Sequence, residues 1–459
     1  MIITLPDKVN YIIEELMSHG FEGYAVGGCV RDSLLGRIPG DWDITTSANP
    51  CEVKQIFSRT IDTGIKHGTV TVMLGKEGFE VTTYRLDGEY EDNRHPKQVE
   101  YTKNLIEDLK RRDFTINAMA YNAKDGLVDE FEGLKDLQDK KIRCVGSADQ
   151  RFDEDALRIL RAVRFSAQLN FTIEDETLAA IRLKALNLKN ISAERIREEL
   201  NKLLLSSHPK KIMIAYETGL TEVILPEFDQ MLATKLQGPY QQSSVGEHTL
   251  EALRYFTKNL SKDVEDKKQQ LIYCWAILLH DVAKPVIKDN NPQVLNQEHQ
   301  TKGANIAKSI LRRLKFDNET IESVTKLVYY HNFTFGHSKE DIRRATNQIG
   351  EKYMPMLFVL QECNMQTKDS QVIEEMEKDL KRAKELYQDM IEHGECVSLK
   401  SLAVNGKDLM DQGFESGKNI GVLLDMLLEK VIIDPSLNTK DQLLKIATSQ
   451  FQNKTDGNS

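Results

Sequence analysis

The chain has 459 residues, enough for about two to four domains, and its 40% hydrophobic and 29% charged residues are typical of a globular protein. No apolar run reaches the roughly 18 residues that a membrane-spanning helix needs, so we expect no membrane partner. The net charge of −10 argues weakly against nonspecific nucleic-acid binding. DNA is not an expected partner, although the charge does not exclude a local basic surface.

Six scattered cysteines without a CxxC pair are typical of a reducing compartment, so we expect a cytoplasmic protein without a disulfide framework. The N-terminal sequence MIITLPDKVNYIIEELMSHG lacks a basic region before an apolar core. It therefore predicts an amphipathic helix rather than a signal peptide.

Short β-like runs and turns fill the first part of the chain. The runs YAVGG (24–28), GTVTVMLG (68–75) and FEVTTYRL (79–86) predict strands of one small sheet, and NPCEVKQIF (49–57) predicts a helix. From residue 145 to about 450, apolar residues recur at helical spacing and strand signals fade. The sequence therefore predicts an α/β head followed by an almost entirely helical remainder. Polar segments rich in Pro, Gly and Asn at 236–248 and 287–299 predict loops.

Two aspartates one residue apart, Asp41 and Asp43, follow a Gly-Gly pair in YAVGGCVRDSLLGRIPGDWDITTSANP (24–50). If DWDIT is extended, both carboxylates project from one face and repel each other unless a cation lies between them. A hard ion such as Mg²⁺ fits this arrangement, usually with substrate phosphate as a further ligand. Such ions can support an in-line displacement that releases pyrophosphate. Alone, an Asp-x-Asp sequence is more often an acidic turn.

The glycines favour a nucleotide site over a turn. Gly27 and Gly28 follow a predicted strand and precede the helix-like segment CVRDSLLG. Glycine lets the backbone approach a phosphate closely, and a helix N-terminus offers free N–H groups. Arg31 can add a cationic contact. Gly-Gly, Arg31 and Asp-x-Asp fall within 17 residues, and this combination indicates a phosphate- and metal-binding site.

Two later segments carry arginines beside acids. In EDLKRRDFTINAMAYN (107–122), an arginine can hold phosphate oxygens in a bidentate fork and Asp113 can accept a ribose hydroxyl. In RFDEDALRILRAVRF (151–165), a single helix would place Asp155, Arg158 and Arg161 within roughly 120° of arc. The opposite face would be an apolar stripe of Ala156, Leu160, Val163 and Ala167.

An aspartate offers only acceptors and an arginine only donors. Together they can match the Watson–Crick edge of a pyrimidine, and that of adenine after a small rearrangement. The alternative interpretation of this segment is a surface helix with salt bridges three residues apart.

The segment GGCVRDSLLGRIPGDWDITTSA (27–48) closely resembles the first motif of the class II tRNA nucleotidyltransferases, the CCA-adding enzymes, and of the related bacterial poly(A) polymerases. The resemblance implies a polymerase-beta-like head in which Asp41 and Asp43 bind catalytic Mg²⁺. It also implies that Gly28 and Arg31 contact the nucleoside triphosphate. A weaker local match in GFEVTTYR makes Glu80 the third carboxylate of the family.

The later motifs are similar to those of the same family. The resemblance implies that Arg112 and Asp113 read the sugar, and that Asp155 and Arg158 in EDALR read the incoming base in place of a nucleic-acid template. Two further residues would support the nucleotide, Arg161 and Arg164. The segments at 128–143 and 192–200 resemble the hinge motif and the helix-stabilising motif of the family.

The resemblance also predicts the reaction. The segment TGIKHGTVTVML (63–74) looks like the tRNA-type sequence, and the polar segment 84–104 resembles the loop that CCA-adding enzymes use to switch from CTP to ATP. We therefore predict Mg²⁺-dependent, template-independent addition of C, C and A to the 3′ end of tRNA, with CTP and ATP as substrates and release of pyrophosphate. The alternatives are an A-adding tRNA nucleotidyltransferase, a poly(A) polymerase, and a metal phosphohydrolase whose head only senses nucleotides.

Histidines of the C-terminal half suggest a second metal. LLHDVAKP (278–285) contains His280 and Asp281, and further histidines lie around it in the sequence: His248, His299 and His331. Imidazole and carboxylate suit a divalent metal, although buried histidines of a helix bundle are the commoner explanation of His-Asp. The set resembles the HD-domain phosphohydrolases, which implies a divalent transition metal at a second site formed by His248, His280 and Asp281.

The HD family has a further aspartate downstream, where this chain has LQECNMQTKDS. Cys363 or Asn364 stands at the expected ligand position, and Asp369 follows several residues later. This departure leaves open an active and a purely structural HD domain.

By resemblance, the chain divides into a nucleotidyltransferase head (1–144), a helical neck with the base-reading motif (145–205), a helical RNA-binding body (206–245), an HD-like domain (246–370) and a helical tail (371–459). The expected partner is tRNA, bound at its acceptor stem and elbow; the oligomeric state is left open. Residues 181–212 contain eight Lys and Arg but three Asp and Glu, a local net charge of +5. They predict a basic stripe that meets A-form RNA through backbone and shape contacts.

Overall fold

A computed structural model describes residues 2–88, 99–236, 243–287, 292–366 and 370–456. The chain forms two compact units, Met1–Asp229 with Arg313–Phe316, and Gln230–Arg312 with Asp317–Ser459. No helix in these described ranges is long and apolar enough to cross a membrane. All six cysteines are free.

Every strand among the described residues lies in the first unit. They are β1 (Gly23–Val26), β2 (Ile44–Thr46), β3 (Thr60–Gly64), β4 (Thr69–Leu74), β5 (Glu77–Thr83), β6 (Arg85–Asp87), β7 (Val99–Tyr101), β8 (Ala120–Asn122), β9 (Gly126–Val128), β10 (Lys141–Ile142) and β11 (Thr172–Ile173). Seven of them form one mixed sheet in the order β3-β4-β5-β2-β1-β8-β9. Within it β2 and β5 are parallel, whereas the other neighbours are antiparallel.

Helices surround this sheet and continue beyond it. As far as Ala233 they are α1 (Asp7–Ser18), α2 (Gly28–Leu34), α3 (Pro50–Ile56), α4 (Leu105–Lys110), α5 (Gly133–Gln138), α6 (Ala148–Glu154), α7 (Leu157–Leu169), α8 (Asp175–Lys184), α9 (Ala193–Leu204), α10 (Ile212–Glu217), α11 (Leu220–Ile224) and α12 (Pro226–Ala233). In the remaining residues that the structure describes, the helices are α13 (Val245–Tyr255), α14 (Lys267–Leu279), α15 (Pro292–Arg313), α16 (Asn318–Tyr330), α17 (Lys339–Ile349), α18 (Met354–Met365), α19 (Ser370–Glu392), α20 (Gly406–Met410), α21 (Lys418–Ile433) and α22 (Lys440–Asp456).

The predicted α/β head followed by helices is confirmed. Strands β4 and β5 form where the alternation of β-branched residues predicted strands, and the YAVGG run contains most of β1. Helix α3 begins at a capping box, in which Asn49 and Glu52 each accept a hydrogen bond from the other's backbone N–H. One face of the sheet packs on a cluster that includes Val26, Tyr84 and Leu109, all buried.

Two sequence expectations need correction. The segment 151–165 is not one helix, because α6 ends at Glu154 and α7 begins at Leu157. The segments 236–248 and 287–299 are only partly loops, since α13 begins at Val245 and α15 begins at Pro292. Residues 89–98 of the expected switching loop, and Asp369, lie outside the described residues.

The second unit is built around α14. The residues of α14 from Ile272 to Leu279 are all buried, and this helix packs against α13, α16 and α18. Burial of each large apolar side chain stabilises such a bundle by about 1.5–3 kcal/mol. This packing brings the end of α14, with His280 and Asp281, next to side chains of its neighbours.

Candidate active site

Three carboxylates meet at the start of β2. Asp41 and Asp43 come directly before this strand, and the backbone N–H of Val26 donates to the Asp43 carbonyl oxygen at 3.0 Å. Strands β2 and β5 run parallel with Ile44 opposite Val81, so the preceding residues, Asp43 and Glu80, are neighbours on the same face. Parallel pairing therefore places the third carboxylate beside the Asp-x-Asp sequence.

The electrostatics of this cluster favour a cation. Asp43 is an exposed residue, but neighbouring protein atoms still desolvate its carboxylate in part. This desolvation raises the pKa of Asp43 to about 6, with Asp41 and Glu80 adding to the rise and Arg112 opposing it. A divalent ion would relieve the repulsion, and a set of carboxylate oxygens is the donor set that Mg²⁺ prefers.

The turn between β1 and α2 brings Arg112 to the carboxylates. Gly27 ends β1 with φ 82°, a left-handed conformation that favours glycine, and a Cβ there would lie 3.1 Å from Nη1 of Arg112. Nη2 of Arg112 reaches Asp108 at 3.5 Å, and its buried Nε has no hydrogen-bond partner in the described part of the chain. Gly27, rather than Gly28, therefore has the backbone conformation that other residues rarely adopt.

Arg31 is buried and already paired. Its fork donates to Asp32 at 2.9 Å, its Nη1 donates to Asn117 Oδ1 at 2.7 Å, and its guanidinium lies 5.0 Å from the Phe165 ring centre. Arg31 therefore acts here first as a link between α2 and the segment that carries Asn117.

Asp113 is buried and forms an ion pair with Arg161. Its Oδ2 accepts from Nε of Arg161 at 2.8 Å, and its Oδ1 accepts from Asn117 and from the Phe114 backbone. Burial by itself would raise the pKa of Asp113, but Arg161 and Asn117 outweigh it and hold this pKa well below its usual range. Asp113 therefore stays ionised and fixes Arg161.

Three arginines surround Phe165 on α7. The guanidinium carbons of Arg164, Arg31 and Arg161 lie 3.7, 5.0 and 5.4 Å from the ring centre. Nε of Arg164 donates to Glu199 on α9 at 2.5 Å, and both side chains are buried. Each of these arginines is paired with a carboxylate, so the cluster orders the motifs that are expected to hold a nucleotide without adding net charge.

The helix break lies at the expected base-reading residue. Asp155 has extended backbone angles, φ −142° and ψ 102°, and its Oδ1 accepts from the Leu157 backbone N–H at 3.0 Å. Asp155 thus lies between α6 and α7 instead of projecting from a helix surface, and its side chain accepts from the first N–H of α7. The predicted apolar stripe is confirmed: Ala156, Leu160, Val163 and Ala167 are all buried.

Asp155 and Arg158 have separate partners. The Asp155 carboxylate receives both arms of the Arg195 guanidinium, at 2.7 and 3.2 Å. Arg158 donates to Glu154 at 2.7 Å and to the Arg111 carbonyl at 3.1 Å. Arg195 and Glu199 were not predicted to be site residues. The sequence signal for Arg195 is its position three residues after Ser192, where a capping box would have Glu or Gln.

The expected basic stripe is partly neutralised within the chain. Lys184 pairs with Asp153 at 2.8 Å, and Lys211 donates to the Phe171 carbonyl at 2.6 Å. Exposed cations of residues 181–212 include Arg182, Lys189 and Lys202.

The second unit brings the predicted histidines together. His280 and Asp281 follow α14, with His248 on α13, His299 on α15 and His331 at the end of α16, and all five side chains are buried. Asn364 on α18 lies beside these side chains, with its Oδ1 2.9 Å from Nε2 of His248.

Protonation states in this cluster suit metal ligands. Burial lowers the pKa of His248 to about 3, with His280 adding to the effect, and burial lowers the pKa of His331 to about 4. Burial would raise the pKa of Asp281, but His280 and Lys284 outweigh it and hold this pKa well below its usual range. Neutral imidazoles and an ionised carboxylate are the forms that coordinate a metal.

A mixed sheet that gathers three carboxylates beside a glycine turn and an arginine cluster defines a nucleotidyltransferase head. The family model of the poly A polymerase head domain matches residues 23–143. Two further models match the helical part, the probable RNA and SrmB-binding site of polymerase A at residues 170–232 and a putative tRNA nucleotidyltransferase domain 2 at residues 298–447.

Relatives extend over the whole chain. The CCA-adding enzyme of Ligilactobacillus salivarius is 34% identical over 458 residues, 99% of this chain and 100% of the relative. That of Latilactobacillus sakei is 35% identical over 442 residues, 95% of this chain and 96% of the relative. The chain belongs to the family of CCA-adding enzymes and is a nucleotidyltransferase.

Solved structures agree with this assignment. The Bacillus stearothermophilus CCA-adding enzyme in complex with CTP is similar with a TM-score of 0.70 and 27% identity, over 97% of this chain and 98% of that one. The Thermotoga maritima CCA-adding enzyme complexed with tRNA shares the fold with a TM-score of 0.57 and 20% identity, over 97% of this chain and 96% of that one.

Proposed function

We propose that this enzyme adds C, C and A to the 3′ end of tRNA in the cytoplasm, with CTP and ATP as substrates and Mg²⁺ at Asp41, Asp43 and Glu80. The observation that carries the proposal is the carboxylate cluster in a chain similar to CCA-adding enzymes over nearly its whole length. Full-length similarity to these relatives favours CCA addition over the poly(A) polymerase, the A-adding enzyme and the phosphohydrolase.

Different residues would contact the phosphate, the sugar and the base of the bound nucleotide. Bound Mg²⁺ would neutralise the triphosphate and assist attack by the tRNA 3′ hydroxyl. Arg112, held over the Gly27 turn, would bind phosphate oxygens through the exposed part of its guanidinium. Asp113 would act through Arg161, because its carboxylate is already occupied. This differs from the direct sugar contact that the sequence suggested.

We propose that base reading requires an exchange of ion-pair partners. Asp155 would release part of the Arg195 fork, and Arg158 part of its contact with Glu154, to face the Watson–Crick edge. Both are partly exposed, so the exchange needs no opening of the core. Both ion pairs are already formed in the protein, and each could share its donors or acceptors with a base. One pocket could then present different hydrogen-bonding groups to C and to A.

The assay that tests the function uses the full-length protein, Mg²⁺, a tRNA that lacks its 3′ CCA, and each labelled nucleotide in turn. Products resolved at single-nucleotide length should end at CCA only when CTP and ATP are both present. Long A tails, addition of A alone to a tRNA ending in CC, or no extension would contradict CCA addition.

Asp155→Ala should relax the choice among CTP, ATP, UTP and GTP by roughly ten- to a hundredfold, because a hydrogen bond to a charged group is worth about 1.5–3 kcal/mol. Affinity for the triphosphate should change less, since phosphate contacts remain. The matched control is Arg195→Gln, which breaks the same ion pair but keeps Asp155. If both variants lose selectivity equally, the pair is structural and Asp155 does not read the base. Steady-state kinetics with each nucleotide separates the outcomes.

The Mg²⁺ requirement should depend on pH. Since the pKa of Asp43 is raised to about 6, this carboxyl takes up a proton in the metal-free protein as the pH falls below about 6. Proton and metal then compete, so the Mg²⁺ concentration for half-maximal addition should rise by up to about tenfold per pH unit below the pKa. Mg²⁺ titrations between about pH 5 and 8 measure this. A Mg²⁺ requirement that stays constant over this range is the contrary result.

A further inference from the structure

One buried amide lies between two ion pairs of the head. Asn117, in the segment between α4 and β8, is 6% exposed. Its Oδ1 accepts from Nη1 of Arg31 at 2.7 Å, and its Nδ2 donates to Oδ1 of Asp113 at 3.1 Å. Arg31 is also paired with Asp32. Asp113 is also paired with Arg161, so the amide joins two ion pairs into one hydrogen-bonded chain.

The two partners fix the orientation of this amide. A guanidinium only donates and an ionised carboxylate only accepts, so the carbonyl oxygen of Asn117 faces Arg31 and its NH2 group faces Asp113. Among side chains of nearly the same shape, aspartate would offer no donor to Asp113, and leucine would offer neither a donor nor an acceptor. Asparagine meets both requirements at this position.

The same segment contacts the glycine turn before α2. The backbone N–H of Gly27 donates to the Met119 carbonyl at 3.1 Å, and a Cβ on Gly27 would lie 3.8 Å from the Asn117 carbonyl oxygen. Gly27 directly precedes α2, the helix that carries Arg31. The segment therefore holds α2 at two places, through its backbone at Gly27 and through the Asn117 side chain at Arg31.

Arg161 is the end of this chain that can reach a nucleotide. Its side chain is 33% exposed, against 10% for Arg31 and 9% for Asp113. Oδ2 of Asp113 accepts from Nε and Nη2 of Arg161 at 2.8 and 2.6 Å. The other oxygen, Oδ1, accepts from Asn117 and from the Phe114 backbone N–H. The bond from Asn117 therefore helps to set the direction in which the carboxylate presents Oδ2 to Arg161.

We propose that Asn117 is a positioning residue for the incoming nucleotide and acts through Asp113 to fix Arg161. Asn117 was not predicted to be a site residue. The proposal rests on the proposed function, because Arg161 is expected to support the bound nucleotide. An uncharged bridge leaves Arg31 paired with Asp32, so that Oδ2 of Asp113 serves Arg161. Since Arg161 does not belong to the base-reading pair, the effect should be equal for CTP and ATP.

Calorimetric binding of CTP and of ATP to the full-length protein with Mg²⁺ tests the proposal. Asn117→Leu should raise both dissociation constants by roughly ten- to a hundredfold, the range expected for a hydrogen bond to a charged group. Their ratio and the affinity for tRNA should stay the same. In steady-state addition, KM for both nucleotides should rise by the same factor at nearly constant kcat. A merely structural role would lower kcat through loss of folded enzyme and leave KM unchanged.

Asn122→Leu is the matched control. Asn122 is another buried asparagine of the head, and its Nδ2 donates to the Gly23 carbonyl at 3.1 Å and to Asp125 at 2.9 Å. The same substitution there removes the same kind of contacts at a distance from the ion pairs of Arg31 and Arg161. It should lower stability and leave both dissociation constants unchanged.

Exchange of the two residues supplies a rescue. Asn117→Asp keeps the acceptor for Arg31 but cannot donate to Asp113, so this variant should also weaken CTP binding, and it replaces Asn117→Leu if that variant does not fold. In the double variant Asp113→Asn with Asn117→Asp, the amide at position 113 donates to the carboxylate at position 117. The hydrogen bond is then restored in the opposite direction, and CTP should bind severalfold more tightly than to either single variant.

Unchanged dissociation constants in a folded Asn117 variant, or an equal rise in Asn122→Leu, would overturn the positioning role of Asn117. A change in the ratio of the CTP and ATP constants would also contradict it, because the residue would then act on base reading. Binding decides this point whichever nucleotides the enzyme adds. An unaltered protein that binds both nucleotides but builds no CCA end would therefore contradict the proposed function alone.

Discussion

Asp43→Asn is expected to lower nucleotide addition by at least about a thousandfold while tRNA affinity stays unchanged. The carboxylate is one of three expected metal ligands, and metal-based charge stabilisation is worth several kcal/mol at about 1.4 kcal/mol per tenfold in rate. The exposed cations Arg182, Lys189 and Lys202, which are expected to meet the tRNA, lie on other elements. Single-turnover extension and a tRNA-binding titration measure the two effects.

The same variant should stabilise the metal-free protein. The pKa of Asp43 is about 6 in the folded state, above the roughly 3.9 of an unfolded chain. The folded state therefore binds the proton more tightly, and stability rises as pH falls from above 6 towards 4. Asparagine removes the repelling charge at neutral pH, so the melting temperature at pH 7 should rise and this pH dependence should disappear.

Glu77→Gln on β5 is the matched control for Asp43→Asn. Glu77 is an exposed carboxylate three residues from Glu80, and its pair with Lys8 is a surface salt bridge, which contributes little. This control should leave activity and stability unchanged. Full activity in Asp43→Asn, or a loss of tRNA affinity as large as the loss of activity, would argue against the metal-ligand assignment.

Glu199→Ala is expected to destabilise the first unit by about 3–5 kcal/mol. Its carboxylate is 5% exposed and receives Nε of Arg164, which is 8% exposed and stacked on Phe165. Removing one member of a buried pair leaves the other charge uncompensated. The adjacent Glu198→Gln is the control, since Glu198 is exposed and should tolerate the change.

Urea unfolding measures this effect if the two units are followed separately. The chain has two tryptophans, Trp42 in the first unit and Trp275 in the second. In a Trp275→Phe background, fluorescence reports the unit that contains Glu199. A Glu199→Ala midpoint equal to that of Glu198→Gln would show that the buried pair adds no net stability.

Local patterns in the sequence determined the elements and the chemistry of the head. Alternating β-branched residues predicted β4 and β5, and a capping residue before an apolar pattern predicted α3. Asp41 and Asp43 could be predicted as metal ligands because Gly27, Gly28 and Arg31 lie within the same 17 residues. These features depend on neighbours within a few residues, which is the range over which backbone sterics, capping and side-chain periodicity act.

Only the tertiary structure decided which distant residues meet. Glu80 reaches Asp43 because β5 pairs with β2 in parallel, and Arg195 reaches Asp155 across 40 residues of sequence. The break at Asp155 was hidden from the sequence, since the buried residues Phe152, Ala156 and Leu160 keep a helical spacing of four across it. Periodicity reports the buried face of a segment, but it does not show where one helix ends and the next begins.

In the histidine cluster, too, the sequence supplies the residue types and the tertiary structure decides which of them meet. The sequence supplied His280 and Asp281 as neighbours and left three more histidines scattered over 84 positions, from 248 to 331. Packing of α13, α15, α16 and α18 around the end of α14 then set which imidazole faces which oxygen of Asp281. Ligand identity is a property of residue type, whereas coordination geometry arises only when long-range burial of apolar faces fixes the helices against one another.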